Sequence, residues 1–63
     1  MSSIPKAEDR PTIEVPEAGR VFGLGRSASY AAAARGEIPT LRIGRRLVVP
    51  TAQLRRLLGL DDD

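Results

Sequence analysis

The chain contains no cysteine and no histidine. The first absence excludes disulfides and thiolate metal sites. The second removes the commonest general base and the usual zinc ligand sets. A catalytic role is therefore not expected, nor a metal, a cofactor or a small-molecule substrate. Aromatics are almost missing as well, with Phe22 and Tyr30 the two present. No apolar run approaches the roughly 18 residues needed to span a membrane, so no membrane partner is expected. Residues 1–10 lack the apolar centre of a secretory signal. A cysteine-free chain also fits a reducing interior, and the expected location is the cytoplasm. The 63 residues suffice for one domain. A domain of this size buries only about 60% of its unfolded surface and is marginally stable.

What the chain does have is segregated charge. Lys6 and Arg10 stand against Glu8, Asp9, Glu14 and Glu17 in residues 1–19, a net of −2. Residues 20–56 carry eight arginines against Glu37 alone, a net of +7, and the end carries Asp61, Asp62 and Asp63. A compact basic segment between acidic ends is the pattern of a polyanion binder. Nine of the ten cations are arginine, the side chain suited to bidentate phosphate and guanine contacts.

Residues 1–12, with Pro5, Pro11 and two serines among charges and Ile4 the lone aliphatic before Thr12, read as a disordered arm. In residues 14–22, Val15, Ala18, Gly19 and Phe22 fall on one helical face. Pro16 is tolerated in the first turn and Glu14 and Glu17 suit a helix N-terminus. Gly19 weakens this helix but permits close approach of a neighbour. Gly23-Leu24-Gly25 breaks it, with Leu24 placed to plug the turn. Residues 26–35, with four consecutive alanines, predict a second helix that starts on Gly25 or Ser27 and stops at Gly36. Two helices joined by a short glycine turn predict a helix-turn-helix.

In residues 40–49, Leu41 and Ile43 alternate with Thr40 and Arg42, and Leu47, Val48 and Val49 are strand formers. Gly44-Arg45-Arg46 between them predicts a hairpin turn with three arginines at its tip. Pro50 ends the second strand, and Thr51 is expected to cap a last helix over 52–58 with Leu54, Leu57 and Leu58 on one face. The expected fold is mainly α with a β-hairpin wing, a winged helix-turn-helix. Its expected boundaries are an arm at 1–12, the domain at 13–59 and an acidic tail at 60–63.

Residues 15–58 resemble the excisionase-like, MerR-type winged helix-turn-helix family. The resemblance is carried by Glu17-Ala18, by Leu24 followed by Arg26-Ser27-Ala28-Ser29-Tyr30, by Arg35-Gly36-Glu37-Ile38-Pro39, by Arg42-Ile43-Gly44-Arg45-Arg46, and by Val49-Pro50. It implies a second helix that enters the major groove of DNA and a wing that touches an adjacent minor groove or its phosphates. Family members of this length include phage excisionases, or recombination directionality factors. These bind attachment-site DNA cooperatively, bend it and contact an integrase; others are small transcriptional regulators. Two positions depart from the pattern. Gly25 stands where the family has a Ser, Asp or Thr cap, and Ser29 where it has an apolar residue.

The candidate DNA-binding residues follow from the two lines together. Arg26, Ser27 and Ala28 open the second helix, the end that reaches base edges or phosphates. Tyr30 is expected to put its ring in the core with its hydroxyl available to a phosphate. Arg35 closes the helix. Ala31 to Ala34 offer no hydrogen bonds to a base, and about half of them are expected to pack inward, so binding should lean on phosphates and DNA shape. Arg42, Arg45 and Arg46 are the expected wing contacts, and Arg20 on the first helix either reaches the DNA backbone or is a solvated charge. Arg55 and Arg56 are expected on a solvated face. Double-stranded DNA is thus the expected partner. By the resemblance, an integrase and further copies of the chain on adjacent sites join it, near the nucleoid of a bacterial host. A chain of this length is expected to hold no effector domain, which favours an accessory recombination role over a small MerR-type regulator. A third reading makes the basic face a docking surface for an acidic protein.

Overall fold

A computed structural model describes residues 4–60 of the chain. Its elements are β1 (Thr12–Glu14), α1 (Val15–Val21), α2 (Arg26–Ala34), β2 (Leu41–Ile43), β3 (Arg46–Pro50) and α3 (Thr51–Leu57). The helix-turn-helix, hairpin and final helix lie in the order the sequence predicts, the arrangement of a winged helix-turn-helix. A third strand joins them. β1 pairs antiparallel with β3, so the sheet runs β1-β3-β2 and the fold is mixed α/β.

Each helix ends the same way, and the reason is local. After α1, the Gly23 N–H donates to Arg20 O at 3.1 Å and the Leu24 N–H to Gly19 O at 2.9 Å. These paired bonds close off orphan carbonyls, and they need a left-handed residue between them, which Gly23 supplies at φ 77°. Gly36 and Gly59 serve α2 and α3 in the same way. The motif turns the chain sharply at Leu24, whose half-buried side chain packs against the core. At the hairpin, Ile43 and Arg46 close a two-residue turn of Gly44 and Arg45. Gly44 has φ 59°, and no non-glycine residue described has a positive φ, the pattern of a type II′ turn.

The core is small. It gathers Ile4, Ile13, Val15, Ala18, Ala32, Ala33, Ile38, Val49 and Leu54. Ile13 and Val49 face each other across β1 and β3 on the inner side of the sheet. Ile4 is 7% exposed, so the segment expected as a free arm instead lays an aliphatic side chain on the core. That segment is tied at further points, among them the Arg10 pair with Glu17 of α1 at 2.9 Å. Thr12 pairs with Pro50, and the Arg55 guanidinium donates to the carbonyl of Ile4 at 3.0 Å and of Pro5 at 3.4 Å. Arg55 is accordingly half-buried rather than solvated. The expected tail at 60–63 lies mostly outside the described residues.

Other expectations are corrected by packing. Phe22 lies beyond the last turn of α1 and is 39% exposed. Leu57 is 56% exposed, because α3 buries only the side carrying Thr51 and Leu54. Thr51 is not the cap of α3. Sheet pairing holds Pro50 extended, Pro50 takes the cap position, and Thr51 becomes the first helical residue, with its N–H on Pro11 O at 2.9 Å.

Candidate nucleic-acid interface

The exposed side of α2 follows from which residues the core claims. Ser29, Ala32 and Ala33 are buried. At about 100° per residue, the opposite side is centred on Ser27, Ala31 and Ala34, with Arg26 and Tyr30 flanking one edge and Ala28 and Arg35 the other. All seven are exposed. Ser29 leaves this face altogether: its hydroxyl donates to Gly25 O at 2.6 Å. The centre of the face therefore offers one hydroxyl and two methyl groups.

Tyr30 is not a core residue. It is 40% exposed, and the Arg26 guanidinium sits 5.6 Å from its ring centroid. Its position near the outer side of α2 explains this, since the inner side is already filled by small residues packed closely on α1. The contact holds a cation and a phenol together at the first turn of the helix. The cap residue Gly25 has an extended backbone and brings no side-chain hydrogen bond to that turn.

The wing divides its arginines. Arg42 faces Leu47 across the hairpin, on the side of the sheet that carries Ile13 and Val49 nearer the core. Arg45 occupies the turn. Arg46 lies on the first residue of β3 instead of the tip, because Gly44 and Arg45 alone make the turn. There its guanidinium pairs with Glu14 of β1 at 2.8 Å. Glu14 sits opposite Val48, two residues along β3 from Arg46, so the pair runs diagonally over the outer face of the sheet. Arg35 is also engaged, through two parallel bonds to Glu37 of 3.0 and 3.1 Å. The hydrogen bonds and charge of Arg35 hold the Glu37 carboxyl below its ordinary range, and Glu37 raises Arg35 in return.

Among the described residues, Arg20, Arg42, Arg45 and Arg56 make no ion pair. The sequence-derived set thus separates into unpaired cations (Arg20, Arg42, Arg45), a ring-stacked one (Arg26) and two held by carboxylates (Arg35, Arg46). Glu14 and Glu37 were missed from sequence. Glu37 was findable, two residues after Arg35. Glu14 and Arg46 are 32 residues apart and meet only through the unforeseen strand β1. No group of three or more acidic, His or Cys side chains that could hold a metal occurs among the described residues, and no described helix is long and apolar enough to cross a membrane.

The chain matches no family profile and no solved structure. It is similar to a protein of Saccharopolyspora erythraea described as "Probable excisionase", with 45% identity over 42 residues. That stretch is 67% of this chain and 43% of the relative, so the chain spans less than half the relative's length.

Proposed function

We propose that this chain binds double-stranded DNA as an accessory factor of site-specific recombination, in the manner of an excisionase of a phage or mobile element. DNA binding is carried by one observation: among the described residues Arg42 on β2 and Arg45 in the hairpin turn make no ion pair, in a chain that also exposes one side of a helix-turn-helix second helix. The recombination role rests on the likeness to the S. erythraea protein, which covers 42 residues.

In this reading α2 lies in the major groove with Arg26 and Ser27 at the base edges or phosphates. Two alanines and one serine at the centre of its outer side can touch thymine methyls but cannot select guanine. Selectivity then falls to groove shape and deformability, with Arg42, Arg45 and Arg20 neutralising phosphates. An accessory factor that remodels attachment DNA for an integrase, with further copies on adjacent sites, is consistent with that division.

Footprinting on attachment-site DNA, with end-to-end fluorescence transfer to report bending, tests the reading. Protection of adjacent direct repeats with a bend, and a shift toward excision in an integrase assay, are the expected results. Dimeric binding to an isolated palindrome without a bend would overturn it. A promoter site with no effect on excision would make the chain a small transcriptional regulator. Arg42→Ala and Arg45→Ala should each reduce the slope of log affinity against log salt by about one. An affinity indifferent to salt would remove the DNA reading and leave an acidic protein as the partner.

A further inference from the structure

The pairing of Arg46 with Glu14 has no evident structural purpose. The two side chains are 69% and 55% exposed, and a pair in that setting contributes about 0–1 kcal/mol to folding. Glu14 is the cap residue of α1, yet its carboxylate makes no bond to the helix N-terminus. It reaches toward β3 instead and accepts from Arg46, the wing arginine at the start of that strand. The register β1 adopts puts the carboxylate there, Glu14 lying opposite Val48.

We propose that Glu14 is an affinity-setting residue that occupies Arg46 as an internal stand-in for a DNA phosphate. This rests on the DNA-binding reading above. A carboxylate and a phosphate present the same acceptor oxygens to a guanidinium, so a backbone phosphate at the wing replaces Glu14 in kind. The exchange changes little for Arg46, but it returns a solvated carboxylate to the surface near the polyanion. It also alters the salt dependence. An unpaired arginine that neutralises a phosphate releases about one condensed cation. Arg46 releases that cation too, but the freed Glu14 carboxylate then lies beside the phosphates, and its repulsion, which salt screens, opposes that term, so the net contribution of the pair to the salt slope is close to zero. The wing thus contributes two arginines' worth of salt dependence with three arginines present, and Glu14 keeps binding to any duplex weaker than the sequence charge implies.

The test is a salt titration of the full chain on a fluorescent duplex of about 30 base pairs, with Glu14→Gln, Arg46→Ala, the double variant, and Glu8→Gln as a control for net charge. Thermal melts establish that each variant folds. Glu14→Gln should tighten binding about three- to fivefold at low salt and steepen the salt slope by about one. Neither effect should survive in the Arg46→Ala background, and Glu8→Gln should reproduce neither. An unchanged Glu14→Gln, an equal gain without Arg46, or an equal gain from Glu8→Gln would each overturn the proposal. A native chain that binds no duplex at any salt would overturn the DNA reading, and this inference with it.

Discussion

Gly19 of α1 lies directly against Ser29 of α2, with no room for a side chain between them. A Cβ placed on Gly19 would overlap both the Cβ and the Oγ of Ser29 and come within 3.2 Å of its Cα. Ser29 is fully buried, and its hydroxyl is absorbed by Gly25 O one turn earlier on its own helix. Gly25 and Ser29 are therefore bonded to each other. Close approach at Gly19 sets the crossing of the two helices, and the crossing sets which side of α2 faces outward.

Gly19→Ala should cost at least about 3 kcal/mol, because the new methyl meets backbone-anchored atoms that cannot swing away. A domain of this length has only about 3–9 kcal/mol in total, so the variant should lose a third or more of its stability and melt well below the native chain by circular dichroism. Ser29→Gly in the same chain should recover part of the loss by vacating the space. A Gly19→Ala protein that melts like the native one would refute the packing.

Thr51 is completely buried and its hydroxyl has no hydrogen-bond partner among the described residues. Thr51→Val keeps the shape and removes the unsatisfied group, so stability should rise by about 1 kcal/mol. The corresponding gain in Tm is about 4–8 °C for a domain this small. A lower Tm would mean that the hydroxyl is bonded.

Ile4 contributes to the core from the segment that the sequence presents as an arm. Ile4→Ala should lower stability by about 2 kcal/mol, at the lower end for a buried aliphatic because Ile4 keeps 7% of its surface exposed at the edge of the core. Urea denaturation measures this directly. A midpoint unchanged from native would show that the Ile4 side chain does not contribute to the core.

The Arg35 and Glu37 pair predicts a weak acid dependence. Glu37 titrates lower in the folded chain than unfolded, owing first to the hydrogen bonds from Arg35. Its contribution to stability is therefore present above the ordinary glutamate range of about 4.3 and is lost as pH falls through the depressed folded value. Glu37→Gln should flatten that part of the stability profile while leaving the neutral-pH melt almost unchanged, because the pair is exposed. A large loss of stability at neutral pH would contradict this.

The local elements were legible because their causes are local. Glycines past Val21, Ala34 and Leu57 stop three helices, alanines form α2, and alternation around Gly44 makes the hairpin. Charge segregation alone pointed to a polyanion. Strand β1 was not legible, since the alternation of Thr12, Ile13 and Glu14 is only three residues long and becomes a strand only where β3 offers its edge. The exposure of Tyr30 was equally hidden, because the inner side of α2 is taken by the close contact of Gly19 with Ser29, and that of Phe22 because it falls just beyond the last turn of α1.

By itself the sequence determined the order of elements, the absence of thiolate or imidazole chemistry, and the concentration of arginine between residues 20 and 56. Those follow from backbone preference, side-chain inventory and charge count. Only the tertiary structure decided which arginines stay unpaired. Arg42 and Arg45 do, while Arg46 is claimed by Glu14. Ion pairing depends on distance in space, and the sheet register brings together two residues that lie 32 positions apart.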